Sequence, residues 1–466
     1  MLSVEDNELL TRTDAGTPMG ELMRRYWQPV CALDELLRSP FRTKEVMIMG
    51  EEIVVYRDRS GTLGCVDKYC THRRASLAYG VVEEQGIRCQ YHGWKFDETG
   101  RCIEQPFEDT THPEDNFRDK CGIRSYKAEE LGGLVFVYMG PAPAPLLPRW
   151  GPLVWENAVR DIAIVELSCN WLQCQENSMD PVHTEWLHGY AGNYFREVFD
   201  GQEPSWFHRQ MHHQIDFDPF KYGIIKYRDA AGGLTDSEGG GQNSDAWRIG
   251  HPILFPNILL VGNPLATTME FRVPMDDTRC LHFSYHTFRP APGQEAPKQE
   301  IVPSRIVPLY DSKGFLIADI QRNQDFMVWI TQGKIAHREL EKLGESDRGI
   351  IMFRKMLMNQ LEIVRDGGEP TMNILRNAAE NECIELPLET GQFSEEGRRS
   401  NRRETDRDTQ RPYIPQEAGA RDFADGYSNP QSLTRAAEDV EAVMATWKGV
   451  SREMVKELVD AIYSRQ

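Results

Sequence analysis

The chain has 466 residues, 40% of them hydrophobic and 27% charged, and carries a formal net charge of −19. That length allows two or three domains with a sizeable core, the acidic balance argues against a nucleic-acid partner, and no apolar run approaches a membrane span. The first residues, MLSVEDNELLTRTDAG, are acidic and polar, unlike a secretory signal, and the 10 scattered cysteines show no paired framework, which points to a reducing cytoplasm.

In chain order, residues 1–40 read as a helical entry segment. Thr17 and Pro18 supply an N-cap and a first helical residue, and the helix is expected to stop before Pro29. Residues 41–148 read as a small all-β domain. VMIMGEEIVVYRDRSGTLGCVD alternates apolar and polar residues around turns at Gly50 and Ser60–Gly61, and LGGLVFVYMGP closes the domain with an apolar strand. APAPLLPRW is a Pro-rich linker. Residues 149–390 read as a larger α+β domain. Antiparallel strands such as YGIIKYR and RCLHFSYHTFRP precede helical text from Ile317 to about Gly367, and a Gly-rich loop at 232–241 reads as a flap. Residues 391–466 form a charged extension, expected to wrap over a surface if ordered, and an amphipathic C-terminal helix with a break near Gly449. Cys169 and Cys174 read as core thiols, and His208, His212 and His213 as structural or exposed.

Two constellations carry chemistry. In CTHRRASLAYGVVEEQGIRCQYH (70–92), one residue separates Cys70 from His72 and two separate Cys89 from His92. A structural zinc site of Cys2His2 type usually keeps its two cysteines in one pair and its histidines in the other. Here each pair mixes the two, which suits a [2Fe–2S] centre held by two Cys on one iron and two His on the other. Gly93, Trp94 and Pro106 follow, in loops whose amides can hydrogen-bond cluster sulfurs.

The second constellation is Asp180, His183 and His188, a D-x-x-H-x-x-x-x-H pattern within NWLQCQENSMDPVHTEWLHG. Two His and one carboxylate with open positions form the facial triad of non-haem Fe(II) oxygenases. On an ideal helix His183 and His188 stand about 140° apart, at about 100° per residue, so convergence needs a π-bulge, a distortion or a helix end. The third ligand must come from farther along the chain. Asp319 and Asp325 in DIQRNQDFMVWITQG are the candidates, and taken alone Asp325 reads as a surface carboxylate.

CTHRRASLAYG…CQYHGWKFDETGRC resembles the Rieske domain of ring-hydroxylating oxygenases. TPMGELMRRYWQPV and QDFMVWITQG…HRELEKLGESDRGI resemble the oxygenase (alpha) subunit of the phthalate 4,5-dioxygenase and aromatic O-demethylase branch. The resemblance implies an α+β chain: a small all-β Rieske domain, then a helix-grip catalytic domain of curved antiparallel sheet and helices. It implies a [2Fe–2S] cluster on Cys70, His72, Cys89 and His92, and a mononuclear Fe(II) on His183, His188 and Asp325. It gives Asp180 the role of bridging His92 of one subunit to His183 of the next for electron transfer, with Asn177 a neighbouring structural group. It also implies a head-to-tail homotrimer, or a hexamer of trimers. No flavin or nicotinamide fingerprint is legible, so a separate NAD(P)H-dependent reductase, with or without a ferredoxin, is the expected electron source. The expected reaction uses O2 to dihydroxylate a phthalate-like aromatic acid, with O-demethylation of a methoxylated acid as the alternative. A Rieske electron-transfer protein without chemistry of its own is disfavoured by the second constellation. Arg248, Lys226 and Arg228, expected on sheet strands, resemble the carboxylate-binding arginines of phthalate dioxygenases.

Overall fold

The computed structural model of the chain describes residues 2–198, 201, 211–231, 245–318, 320–388 and 430–463. The glycine-rich loop, His208, Asp319 and the charged stretch 391–429 lie outside the described residues.

The N-terminal half is built on ten strands: β1 (Gln28–Ala32), β2 (Thr43–Ile48), β3 (Glu51–Arg57), β4 (Leu63–Asp67), β5 (Val81–Val82), β6 (Ile87–Arg88), β7 (Lys95–Phe96), β8 (Cys102–Glu104), β9 (Ser125–Leu131) and β10 (Leu134–Tyr138). A six-stranded sheet runs β1-β10-β9-β4-β3-β2, and a small four-stranded sheet runs β5-β6-β7-β8. The expected N-terminal helix is shorter than its pattern. Thr17 does cap Pro18–Met23 by accepting from the Gly20 N–H, but Gln28–Ala32 is a strand paired antiparallel with β10. All five of its residues are buried, and a short run buried all round has no period to separate strand from helix. The open edge of β10 decides it, because unpaired backbone groups there need partners.

The C-terminal half adds β11 (Val159–Leu167), β12 (Met211–Phe220), β13 (Gly223–Ala231), β14 (His251–Leu254), β15 (Ile258–Gly262), β16 (Ala266–Asp276), β17 (Arg279–Phe288) and β18 (Ser304–Ile306). They form one sheet in the order β12-β13-β14-β15-β16-β17-β11-β18, antiparallel except where β18 joins β11. Helices Trp171–Asn177, Gln321–Thr331 and Arg348–Arg365 complete this α+β unit. The two halves share a core. Phe136 of β10 meets Phe271 of β16 with ring centroids 6.0 Å apart, the Tyr285 hydroxyl donates to the Gly132 carbonyl at 2.7 Å, and the Met49 and Gly50 amides donate to Pro274 and Met275.

At the C-terminus, helices Pro430–Ala445 and Arg452–Tyr463 are separated at Gly449, where φ is +85°, in line with the expected break. They bury Val440, Val443, Trp447 and Val455 against Val159, Leu265 and Ala291 at one end of the large sheet. Trp447 donates its indole N–H to the Arg289 carbonyl at 2.8 Å.

Candidate metal centres

The first centre lies where two loops leave β4 and β6. The Cys70 amide donates to Ala75 and the Cys89 amide to Trp94, which closes each loop on itself. Gly93 sits at φ +78°, and a Cβ there would come within 3.0 Å of Pro106; glycine is what lets the second loop turn this close to Pro106. The Thr71 hydroxyl donates to the Cys121 carbonyl at 2.8 Å and ties the first loop down. The His72 and His92 rings meet edge to face with centroids 4.4 Å apart, and His72 stacks on Trp94 at 4.5 Å. Both cysteines are buried, whereas both histidines are exposed. The two thiols interact: the hydrogen bond between them lowers the Cys89 pKa against burial and, with burial, raises that of Cys70. Among the described residues, no three of these four donors lie within 4.8 Å of one another, so they do not converge on a single ion. Donors that face each other across a wider gap fit a two-iron cluster better than one zinc.

The second centre answers the angular problem posed by His183 and His188. Residues Thr184–Ala191 form a π-helix with His183 at its N-cap. Its i→i+5 ladder brings residues five apart onto one face. Asp180 opens this turn, its Oδ1 accepting from the Val182 and His183 amides at 2.8 and 3.3 Å. Asp325 enters from helix Gln321–Thr331. Its Oδ1 is 3.6 Å from His183 Nε2 and 3.3 Å from His188 Nε2. Two donors each about 2.1 Å from one ion, at right angles, stand about 3 Å apart, so the spacing is that of a shared metal. Asp325 Oδ1 is buried without a hydrogen-bond partner, a cost that a metal ligand removes. Among the described residues no other group of three such donors converges this closely.

Neighbouring groups fix the two imidazoles. Asp180 Oδ2 lies 3.6 Å from His183 Nδ1. Burial raises the Asp180 pKa, but the adjacent His183 ring, then the Val182 amide, outweigh it and hold the carboxylate below its usual range. Gln324, which sequence reasoning did not single out, is the counterpart at His188. Its Oε1 is 2.9 Å from His188 Nδ1, and its Nε2 donates to the Ala318 carbonyl at 2.9 Å. The second bond sets the amide's direction. His188 must then donate from Nδ1, leaving the Nε2 lone pair toward Asp325. The pair is 136 residues apart in sequence, and no local pattern marks it.

The same helix is seated on the sheet. Phe326 and Trp329 pack on the His282 ring of β17 at 5.1 and 5.8 Å, and Arg322 Nη2 donates to His286 Nε2 at 2.7 Å. Behind the centre, Glu176 accepts from Arg338 at 2.7 to 3.1 Å and from Arg354 at 2.6 Å. Arg338 is fully buried and also donates to Asn7 Oδ1 at 3.0 Å. This network joins the helix before Asp180, the segment after the Asp325 helix, helix Arg348–Arg365 and the first helix, Val4–Thr11.

The remaining expected site residues divide. Lys226 is buried and Arg228 half-buried on β13. Arg248 is not on a strand: it ends the short helix Asp245–Arg248 and is exposed. Gly250, at φ +73°, turns the chain against the Lys226 carbonyl, 2.7 Å from where a Cβ would stand, so the strand begins only at His251. Asn177 ends helix Trp171–Asn177, and its carbonyl accepts from the Asp180 amide at 3.0 Å. Cys169 and Cys174 are buried thiols, 3.6 Å apart. His212 is not without a partner: it pairs with Glu185 at 2.7 Å.

The family model for the Rieske [2Fe-2S] domain matches residues 26–127, and one described as LigXa C-terminal domain like matches residues 315–382. The chain is 42% identical to the 5,5'-dehydrodivanillate O-demethylase oxygenase subunit of Sphingobium sp. (strain NBRC 103272 / SYK-6), over 83% of this chain and 87% of that one. It is 31% identical to the phthalate 4,5-dioxygenase oxygenase subunit of Pseudomonas putida, over 79% and 88%. Among solved structures, it shares its fold with the NdmA QL mutant of Pseudomonas putida CBB5 with caffeine (TM-score 0.57, 18% identity, 77% of this chain and 97% of that one). It shares it also with the terminal oxygenase of carbazole 1,9a-dioxygenase from Nocardioides aromaticivorans IC177 (TM-score 0.51, 18% identity, 77% and 98%). Fold and site together define a Rieske-type terminal oxygenase with two iron centres. The chain belongs to the Rieske non-haem iron oxygenases, as an oxygenase (alpha) subunit of the branch that holds phthalate 4,5-dioxygenase and dehydrodivanillate O-demethylase. Its cofactors are a Rieske [2Fe–2S] cluster and a mononuclear iron. No helix among the described residues is long and apolar enough to cross a membrane.

Proposed function

We propose that this subunit O-demethylates a methoxylated aromatic acid, converting an aryl methyl ether, O2, two electrons and two protons into a phenol, formaldehyde and water. The observation that carries this reading over ring dihydroxylation is the 42% identity, across 83% of the chain, to an O-demethylase oxygenase subunit, against 31% to the phthalate dioxygenase subunit.

In this reading Cys70, Cys89, His72 and His92 hold the cluster, and His183, His188 and Asp325 the mononuclear iron. When bound, the cluster supplies single electrons and the iron the site at which O2 is activated. The protein's own part is to aim and insulate. Gln324 holds the His188 imidazole with its Nε2 turned inward, Asp180 lies beside the His183 ring, and the π-helix brings both rings to one side. The exposed ring of His92 and the half-buried Asp180 carboxylate support a head-to-tail contact between copies, in which Asp180 receives the neighbouring His92. Exposed Tyr91 and Phe107 near the first centre, and exposed Trp186 and Tyr190 on the π-helix, are apolar surface of the kind such a contact covers. Both curated relatives above are named as oxygenase subunits, which supports a separate NAD(P)H-dependent reductase as electron donor. The test is product analysis with methoxybenzoates and phthalates. Formaldehyde with a phenol is the expected outcome, and a cis-dihydrodiol that keeps its methoxy group would replace this reading with dioxygenation.

A further inference from the structure

The two imidazoles of the first centre have unlike surroundings. His92 lies beside Tyr91, which is exposed, with ring centroids 3.9 Å apart and planes tilted by 36°. His72 lies flat on the Trp94 indole: the centroids are 4.5 Å apart and the planes differ by 10°. Trp94 is buried, at 7% exposure. The loop itself fixes its place. The Cys89 amide donates to the Trp94 carbonyl at 2.8 Å, and the Gly93 amide to the Cys89 carbonyl at 3.0 Å. Lys95, the next residue, already belongs to β7. Phe117 meets the same indole at 6.0 Å and 82°. The short turn that carries Phe117 ends at Cys121, whose carbonyl accepts from Thr71, the residue before His72. The first loop thus grips the segment that packs on the indole, and His72, Trp94 and Phe117 form one closed unit.

This stack acts on charge in two ways, and both have the same sign. The face of an aromatic ring is electrostatically negative, so the indole opposes negative charge added to an imidazole lying on it. A buried indole also keeps water from that side of His72, and water is what best stabilises added charge. In the proposed ligand set His72 holds the cluster, and reduction adds one electron to that assembly. Solvent exposure and local charge are among the levers that set such a potential, and here both favour the oxidised form. We propose that Trp94 is a positioning residue that lowers the reduction potential of the Rieske cluster by stacking on His72. A cluster that resists the added charge gives up its electron more readily, which suits a donor. The inference rests on the assignment of His72 as a ligand and goes beyond it.

The test is a redox titration of the holoenzyme, followed by the visible circular dichroism of the cluster and compared at the wild-type midpoint potential. Trp94→Leu removes the aromatic face and keeps an apolar side chain. It is expected to raise the ratio of reduced to oxidised cluster at least about threefold, a shift of about 28 mV at about 59 mV per tenfold for one electron. Trp94→Phe keeps a ring on His72 and is expected to stay within about twofold of wild type. An unchanged ratio in Trp94→Leu, or equal shifts in the Leu and Phe variants, makes Trp94 a packing residue and overturns the inference. If Trp94→Leu does not hold its cluster, a ring-tetrafluorinated tryptophan placed at position 94 alone decides. It nearly keeps the shape and withdraws the π density, so the ratio is expected to rise about twofold or more; no rise overturns the inference. His72→Ala separates the two claims. Loss of the Rieske spectrum supports the ligand assignment, and its retention overturns that assignment and the inference together.

Discussion

Replacing Glu176 by Gln tests whether the two iron-bearing elements are held by a buried charge. The Glu176 carboxylate accepts four hydrogen bonds from two guanidinium groups. Arg354 keeps a second carboxylate, Glu341, at 2.8 and 3.0 Å. Arg338 does not; among the described residues its other partner is the Asn7 amide oxygen. Neutralising Glu176 therefore strands about one buried positive charge, and breaking a buried pair in this way costs about 3–5 kcal/mol. At about 2–4 °C per kcal/mol for a unit of this size, the melting temperature is expected to fall by roughly 6–20 °C. Glu176 has its pKa lowered in the folded chain: burial opposes this, and the charges of Arg338 and Arg354 prevail. Its stabilisation is therefore complete above the ordinary glutamate value of 4.5 and is lost as pH falls through the lower folded value. Thermal melts of wild type and Glu176→Gln should differ widely at pH 7 and converge in acid. A difference under 2 °C at pH 7 would show that the network carries little of the stability assigned to it.

Asp180→Asn keeps an oxygen for the Val182 and His183 amides but loses the anionic contact with His183, so the cluster's visible spectrum should persist while turnover falls at least about 100-fold; normal turnover would remove Asp180 from the electron route. Gln324→Leu frees the His188 tautomer and should weaken Fe(II) binding to cluster-loaded, iron-stripped protein by about 10–100-fold, read by titration; unchanged affinity would make Gln324 a packing group only. Trp447→Ala empties the contact of the C-terminal helices with the large sheet, at about 3–5 kcal/mol, and should expose residues 430–463 to protease before the rest of the chain; uniform resistance would contradict the packing.

Cys70, His72, Cys89 and His92 stood out as a set because each pair is local and the mixing of Cys with His in each arm is informative by itself. His183 and His188 were legible as a pair but not as a site. A standard helix separates them, and the π-helix that unites them is a backbone choice the side chains did not announce. Asp325 entered through resemblance, and Gln324 not at all, since both reach the site across more than a hundred residues of chain. Lys226 was read on its strand, while Arg248 was misplaced because the turn at Gly250 starts the strand later than the alternation of AWRIGHPILFP implies. The helix was expected to run to just before Pro29, and the strand at 28–32 was not foreseen, because residues buried on every side carry no period and only the open edge of β10 defines them.

The most direct test is a single turnover. Protein with the cluster reduced and the mononuclear iron restored is mixed with O2 and 4-hydroxy-3-methoxybenzoate, and the same is done with His183→Ala loaded with cluster alone. Wild type is predicted to oxidise its cluster and release formaldehyde and the demethylated phenol in equal amounts, and the variant to release none. Formaldehyde from the variant, or a cluster oxidised in wild type with the methoxy acid recovered intact, would contradict the assignment of His183, His188 and Asp325 as the centre where the chemistry occurs.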